Sequence, residues 1–154
     1  WSYKYARRQW SLVDRDDLQY GYLNEFDNAM IGLVSGIHNF QSLPVRKLWE
    51  KDDDQVLAFS RGDLVFVFNF NPGKSFNGYG ILAQPGTYDV VMSSDDPKFG
   101  GYGNIDMSVE HMTQTDPLYK PIGMEWLRLY LPSRTVQVLK RRKPRRGRPR
   151  KNQK

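Results

Sequence analysis

The sequence predicts a mainly β protein, an antiparallel β-sandwich preceded by one long amphipathic helix. Three observations carry that expectation. Leu18, Tyr22, Phe26, Ala29, Met30 and Leu33 recur at helical spacing and make one apolar stripe. From about Leu43 the apolar period switches to two, the period of a strand. The short strands that follow are separated by turn signals and not by helices, as in antiparallel sandwiches.

The helix comes first. Asp14 or Asp16 is placed to accept a hydrogen bond from a free backbone N–H at its start, with Asp17 favourable against the positive end of the dipole. Gly21 weakens the first turns by about 1 kcal/mol relative to alanine, and Gly36 is placed to end the helix in the left-handed conformation. One such helix cannot bury its stripe alone, so it must pack on the β domain or on a further domain.

Val45-Arg46-Lys47-Leu48-Trp49 and Val56-Leu57-Ala58-Phe59 read as strands around the acidic turn Asp52-Asp53-Asp54. Leu64-Val65-Phe66-Val67-Phe68-Asn69-Phe70 is the strongest strand signal, apolar on both faces and so expected in the sheet centre with cover on both sides. Pro72-Gly73 ends it. Further strands are expected at residues 79–83, 88–93, 125–130 and 135–139, divided by Pro85-Gly86, Asp96-Pro97, Gly100-Gly101 and Pro132-Ser133.

Composition sets outer bounds. A chain of 154 residues suffices for one domain of ordinary size. It holds no cysteine, which removes disulfides, thiolate metal sites and cysteine nucleophiles and fits a reducing cytoplasm. The chain starts at Trp1 with no basic n-region or apolar h-region, and reads as an excised fragment. Its apolar runs fall far short of the roughly 20 residues that span a bilayer. No membrane association is expected. The net charge of +6 hides an asymmetry: ten of the 23 basic residues lie in residues 140–154, leaving 13 against 17 acidic ones before them, a net of −4. The body is mildly acidic and the tail strongly basic.

The motifs extend over most of the chain. Tyr5-Ala6-Arg7-Arg8-Gln9-Trp10 leads into Tyr22-Leu23-Asn24-Glu25-Phe26-Asp27-Asn28-Ala29-Met30. Downstream come Arg61-Gly62-Asp63-Leu64 running into Asn69-Phe70-Asn71-Pro72, then Lys74-Ser75-Phe76, Pro85-Gly86-Thr87-Tyr88, Ser94-Asp95-Asp96 with Phe99-Gly100-Gly101, and Tyr130-Leu131-Pro132-Ser133-Arg134-Thr135. In this order they resemble the C-terminal portion of the 1,4-α-glucan (glycogen) branching enzymes of the α-amylase superfamily. Asn71 stands where that family usually has histidine. The resemblance implies three parts: residues 1–42 as the end of a catalytic (β/α)8 barrel, residues 43–139 as an all-β C-terminal sandwich, and residues 140–154 as a disordered basic tail outside the family pattern. It implies an enzyme that cleaves an α-1,4 linkage and transfers the chain to a 6-hydroxyl without a cofactor. The expected partners are the barrel and the α-glucan polymer.

The chain itself shows no catalytic set. Glycoside chemistry of this kind needs two carboxyl groups about 5 Å apart in contrasting environments, and the acidic clusters here fall in turns and helix caps. No catalytic residue is assigned, and the fragment alone is expected to be inactive. Pro72-Gly73-Lys74-Ser75 imitates the end of a phosphate-binding loop, but Phe68 occupies the position that needs glycine. His38 and His111 lie in unrelated segments without metal-ligand spacing, so no metal is assigned.

Trp49, Tyr79, Tyr102 and Trp126 raise sugar stacking, because pyranose rings present C–H faces that lie on aromatics. Trp126, in an apolar strand, reads as core. Tyr102, in the glycine-rich loop, is the candidate for exposure and glucan contact. Arg7 and Arg8 are candidates for substrate contact, since the loop after a barrel strand lies near the catalytic face; the alternative is that they pair with acidic residues of the barrel. In the tail, Arg146-Gly147-Arg148-Pro149 resembles an AT-hook core, whose glycine descends into a narrow minor groove flanked by arginines. That makes weak nucleic-acid binding an alternative to a solvated cationic extension. A general carbohydrate-binding module is the third reading.

Overall fold

The computed structural model describes residues 10–15, 17–119 and 122–143. Helix α1 (Tyr20–Ser35) is followed by eight strands: β1 (Val45–Lys51), β2 (Val56–Arg61), β3 (Leu64–Asn69), β4 (Phe76–Ala83), β5 (Thr87–Ser93), β6 (Glu110–Met112), β7 (Glu125–Leu131) and β8 (Thr135–Arg141). All pairings are antiparallel. Six strands form one sheet in the order β1-β2-β3-β8-β5-β6, and β4 pairs with β7 in a second, two-stranded sheet. The fold class is the one the period-two pattern predicts.

Alternation along the strands places the core between the two sheets. Val65 and Val67 of β3, Val56 and Ala58 of β2, and Leu139 of β8 meet Ile81, Leu127, Leu129 and Leu131 of the smaller sheet in one buried cluster. The other face of the large sheet carries Leu64, Met92 and Val138, against which Phe26, Ala29 and Leu33 of α1 pack. Thus β3 is apolar on both faces because each face has cover, though only over part of its length. Phe59, Phe66, Phe68 and Phe70 stack along the helix-side face, neighbouring rings 4.9–5.9 Å apart. The ladder ends at Phe70, which is 59% exposed.

Several local expectations are corrected. The helix does not begin at an aspartate: its cap is Gln19, with no side-chain hydrogen bond. Asp14 lies in an upstream turn and Asp16 outside the described residues. Backbone bonds from Arg15 to Leu12 (3.4 Å) and from Leu18 to Arg15 (3.1 Å) make turns that delay the helix. Gly36 keeps a right-handed φ of −72°, and the left-handed position falls three residues later, at Asn39 with φ 54°. The stripe is also split. Phe26, Ala29 and Leu33 face the sheet, whereas Met30 is exposed. Strand β6 was not expected, because three residues, Glu-His-Met, carry no alternation and form an edge. Finally, Lys140 and Arg141 of the stretch read as tail belong to β8. Arg142 pairs with Asp89 (2.7 Å) and Glu110 (2.7 Å).

Candidate functional site: the cleft beside the Asp95 loop

Strand β5 ends at Ser93, and the chain then folds around one buried side chain. Asp95 is 3% exposed. Its carboxylate accepts from the backbone N–H of Tyr102 (3.3 Å), the Asn104 side-chain amide (3.2 Å) and the N–H of Ile105 (3.0 Å). Its carbonyl accepts from Gly103 N–H at 2.7 Å. Asp96 caps the short 3-10 turn Pro97–Phe99 by accepting from Lys98 N–H at 3.1 Å. Gly101 is required by space, since a Cβ there would sit 2.2 Å from the Asp95 backbone. A buried carboxylate saturated by donors makes the loop rigid. Tyr102 projects from it, 91% exposed.

The β7–β8 turn supplies the facing wall. Arg134 adopts φ 55° and its N–H donates to the Asn71 carbonyl at 3.2 Å, while Ser133 N–H donates to Ser75 Oγ at 3.0 Å. Between the walls lies a cleft of about 470 Å³ lined by Tyr102, Asn104, Tyr130, Ser133 and Arg134. Across Arg134 an apolar recess of about 450 Å³ continues to Phe68 and Phe70. Aromatic faces beside amide, hydroxyl and guanidinium groups suit a ligand with both apolar and hydroxylated surfaces.

The carboxylates beside the cleft are engaged by groups of the fold itself. The Asp95 carboxylate is occupied by the loop's own donors, and Asp96 pairs with Lys98 at 3.1 Å. In the β1–β2 turn Asp54 accepts from Tyr79 Oη at 2.9 Å. Burial pushes the Tyr79 hydroxyl pKa up, countered by the Trp49 hydrogen bond, so it serves as a neutral donor. Among the described residues no group of three or more His, Asp or Glu side chains gathers as a metal would need. None of the described helices is long and apolar enough to cross a membrane.

The aromatics separate into two sets. Trp49 and Trp126 meet edge-to-face at 5.4 Å, and Trp49 Nε1 donates to Tyr79 Oη at 3.3 Å. These three belong to the sandwich, partly buried. Tyr102 alone of the four reaches the cleft. Arg7, Arg8, Arg146, Gly147, Arg148 and Pro149 lie outside the described residues. Sequence reasoning missed Asn104, Tyr130 and Arg134 as cleft residues. The signal was present in the Ser-Asp-Asp and Gly-Gly pairs, a buried acceptor with a close backbone approach.

A family model, the alpha amylase C-terminal all-beta domain, matches residues 49–142. The chain belongs to that family. The matched span opens within β1 and closes just beyond β8. The chain is 42% identical over 147 residues to a 1,4-alpha-glucan-branching enzyme of Yarrowia lipolytica, covering 91% of this chain and 20% of that protein. It is 43% identical over 148 residues to one of Candida glabrata, with coverage of 91% and 20%. It is 44% identical over 117 residues to a chloroplastic/amyloplastic one of Oryza sativa subsp. japonica, with coverage of 75% and 14%. The chain therefore spans about a fifth or less of the length of these relatives. Their names lend no support to the nucleic-acid or carbohydrate-module readings.

Proposed function

We propose that this alpha amylase C-terminal domain, with α1 as the last helix of the barrel, packs on and stabilises the catalytic barrel of a 1,4-α-glucan branching enzyme. The observation that carries the reading is the second apolar stripe on α1. Beside the stripe that faces the sheet, Tyr20, Leu23, Met30 and Ile31 stand exposed at helical spacing, Leu23 at 57% and Ile31 at 56%. A helix apolar on two adjoining faces belongs between two layers. The β domain supplies one layer and the barrel supplies the other. The open end of the phenylalanine ladder supports the same burial.

In this reading the parent enzyme cleaves an α-1,4 bond, holds the glycosyl chain covalently and transfers it to a 6-hydroxyl. The acid and nucleophile of that reaction sit in the barrel. This chain contributes scaffold, in the cytoplasm to which its cysteine-free composition is suited. The spectrum of iodine-stained amylose tests the assignment: the full-length protein changes it, and the 154-residue chain alone leaves it unchanged. A change produced by the isolated chain overturns the reading.

A further inference from the structure

Asn77-Gly78 is the only Asn-Gly pair in the sequence, and β4 presents it in an exposed bulge. This strand pairs with β7 alone. The ladder steps from Phe76 opposite Leu131 straight to Tyr79 opposite Leu129, so neither Asn77 nor Gly78 has a partner in register. Both are exposed, while Phe76 and Tyr79 on either side are partly buried. Gly78 takes φ 65°, and nothing stands within 4 Å of where a Cβ on it would be.

An asparagine loses its amide when the next backbone nitrogen reaches its Cγ, and a following glycine obstructs that approach least. Every other described asparagine is denied the step by the group that follows it. Asn24 and Asn28 lie within α1, where the next N–H groups belong to the helix ladder. After Asn39, the Phe40 N–H donates to the Ile37 carbonyl at 3.3 Å. After Asn69, the Phe70 N–H donates to the Gln55 carbonyl at 2.9 Å. Asn71 precedes Pro72, which has no N–H to lose. After Asn104, the Ile105 N–H is held by the Asp95 carboxylate at 3.0 Å. Asn77 combines an exposed amide, a following glycine and a break in the ladder.

We propose that Asn77 is a site of spontaneous deamidation, which proceeds through a cyclic succinimide to aspartate and isoaspartate. The Gly78 nitrogen attacks Cγ of Asn77. A Cγ–N bond forms, the Cγ–Nδ2 bond breaks, and ammonia leaves with the Gly78 amide proton. Water then opens the ring. Attack of water at Cγ restores the main chain and leaves aspartate. Attack at the Asn77 main-chain carbonyl leaves Gly78 joined through Cγ, an isoaspartyl link that lengthens the strand by one methylene. Water is the only co-reactant. Either product adds a negative charge near Arg128, whose Nη1 donates to the Gly78 carbonyl at 3.4 Å. The isoaspartyl product also carries a free α-carboxylate on an exposed strand, the group that isoaspartate-directed methyltransferases esterify with S-adenosylmethionine.

Incubating the 154-residue chain in heavy-oxygen water, followed by peptide mapping, tests the proposal. The peptide holding Asn77 gains about 1 Da from amide-to-acid exchange and about 2 Da more from the heavy oxygen. It resolves into two products, of which an isoaspartate methyltransferase labels only the isoaspartyl one. Conversion at Asn77 runs about tenfold or more faster than at any other described asparagine. It slows between about pH 8 and about pH 6, because the attack needs the Gly78 amide proton removed. A parallel incubation in urea gives the rate of the open chain. Folded and open chains convert at Asn77 within about fivefold of each other, whereas folding protects Asn69 and Asn104. An Asn77 that stays intact when folded and converts only in urea overturns the proposal. Conversion at Asn24 or Asn104 as fast as at Asn77 also overturns it. Asn77→Gln closes the corresponding larger ring far more slowly, melts as wild type and loses both the mass gain and the methyl label. Persistence of either signal in Asn77→Gln places the reaction elsewhere and sinks the assignment.

Discussion

The side-chain amide of Asn69 donates to the carbonyl of Leu131 at 3.1 Å, a hydrogen bond from the six-stranded sheet to the two-stranded one. The same amide reaches the carbonyls of Pro132 and Lys74, each at 2.9 Å, and Asn69 Oδ1 accepts from Asn71 N–H at 3.0 Å. One buried side chain thus closes the end of the sandwich where β3 finishes, β4 approaches and β7 turns into β8.

Asn69→Ala strands several buried backbone groups together, so the expected loss is about 3 kcal/mol. Urea denaturation of the two proteins measures it as a lower midpoint with an unchanged slope. A loss below about 0.5 kcal/mol would mean that the clamp is replaceable by water.

Asp95→Ala leaves the N–H groups of Tyr102 and Ile105 without their acceptor, at an expected cost of about 1–3 kcal/mol. Gly101→Ala acts by sterics on the same loop, because the new Cβ meets backbone and not a side chain that can swing away. Both variants should raise amide hydrogen exchange in the 94–105 loop more than in β3 or β8. Uniform acceleration across the sheet would contradict a local role.

Ile31→Glu separates the two faces of α1. Its side chain touches solvent in this chain, so the thermal midpoint should move by less than about 0.5 kcal/mol equivalent. On the proposed reading, the same change in the full-length protein buries a carboxylate against the barrel and should reduce soluble yield or stability strongly. Equal tolerance in both contexts would remove the case for a covering barrel.

Burial pushes the His111 imidazole below its ordinary pKa of 6.5, with the Arg128 backbone hydrogen bond and the Asp89 charge pulling the other way. The unfolded chain therefore takes up this proton first as pH falls. His111 contributes its stability in full above about pH 6.5, and that stability is lost progressively below it, down through the folded-state pKa. His111→Gln cannot be protonated and should show a shallower fall in melting temperature between about pH 7 and about pH 5. Identical slopes for the two proteins would exclude His111 as the titrating group.

Strands β1 to β5, β7 and β8 were legible because each alternates or runs apolar between turn signals. Strand β6 was not, since Glu110–Met112 is held by pairing to β5 and has no pattern of its own. The helix limits were misplaced because the Asp-rich stretch makes turns of its own and Asn39 takes the left-handed bend. Of the cleft, Tyr102 was visible from its glycine neighbours. Tyr130 and Arg134 were not. They reach it only because β8 lies beside β5, pairing Val138 with Met92 and Gln137 with Ser93, and such a neighbour relation leaves no trace in local sequence.

Strand β8 sits between β3 and β5 in the large sheet although it comes last of the eight in chain order. Leu64 is paired with Lys140, so closing the sheet joins segments far apart in the chain. During synthesis β1, β2 and β3 must wait with one edge of β3 open until β8 has left the ribosome. A stop codon anywhere before Thr135 would cost the sheet its middle, leaving two separate edges exposed to self-association instead of a shortened version of the same domain.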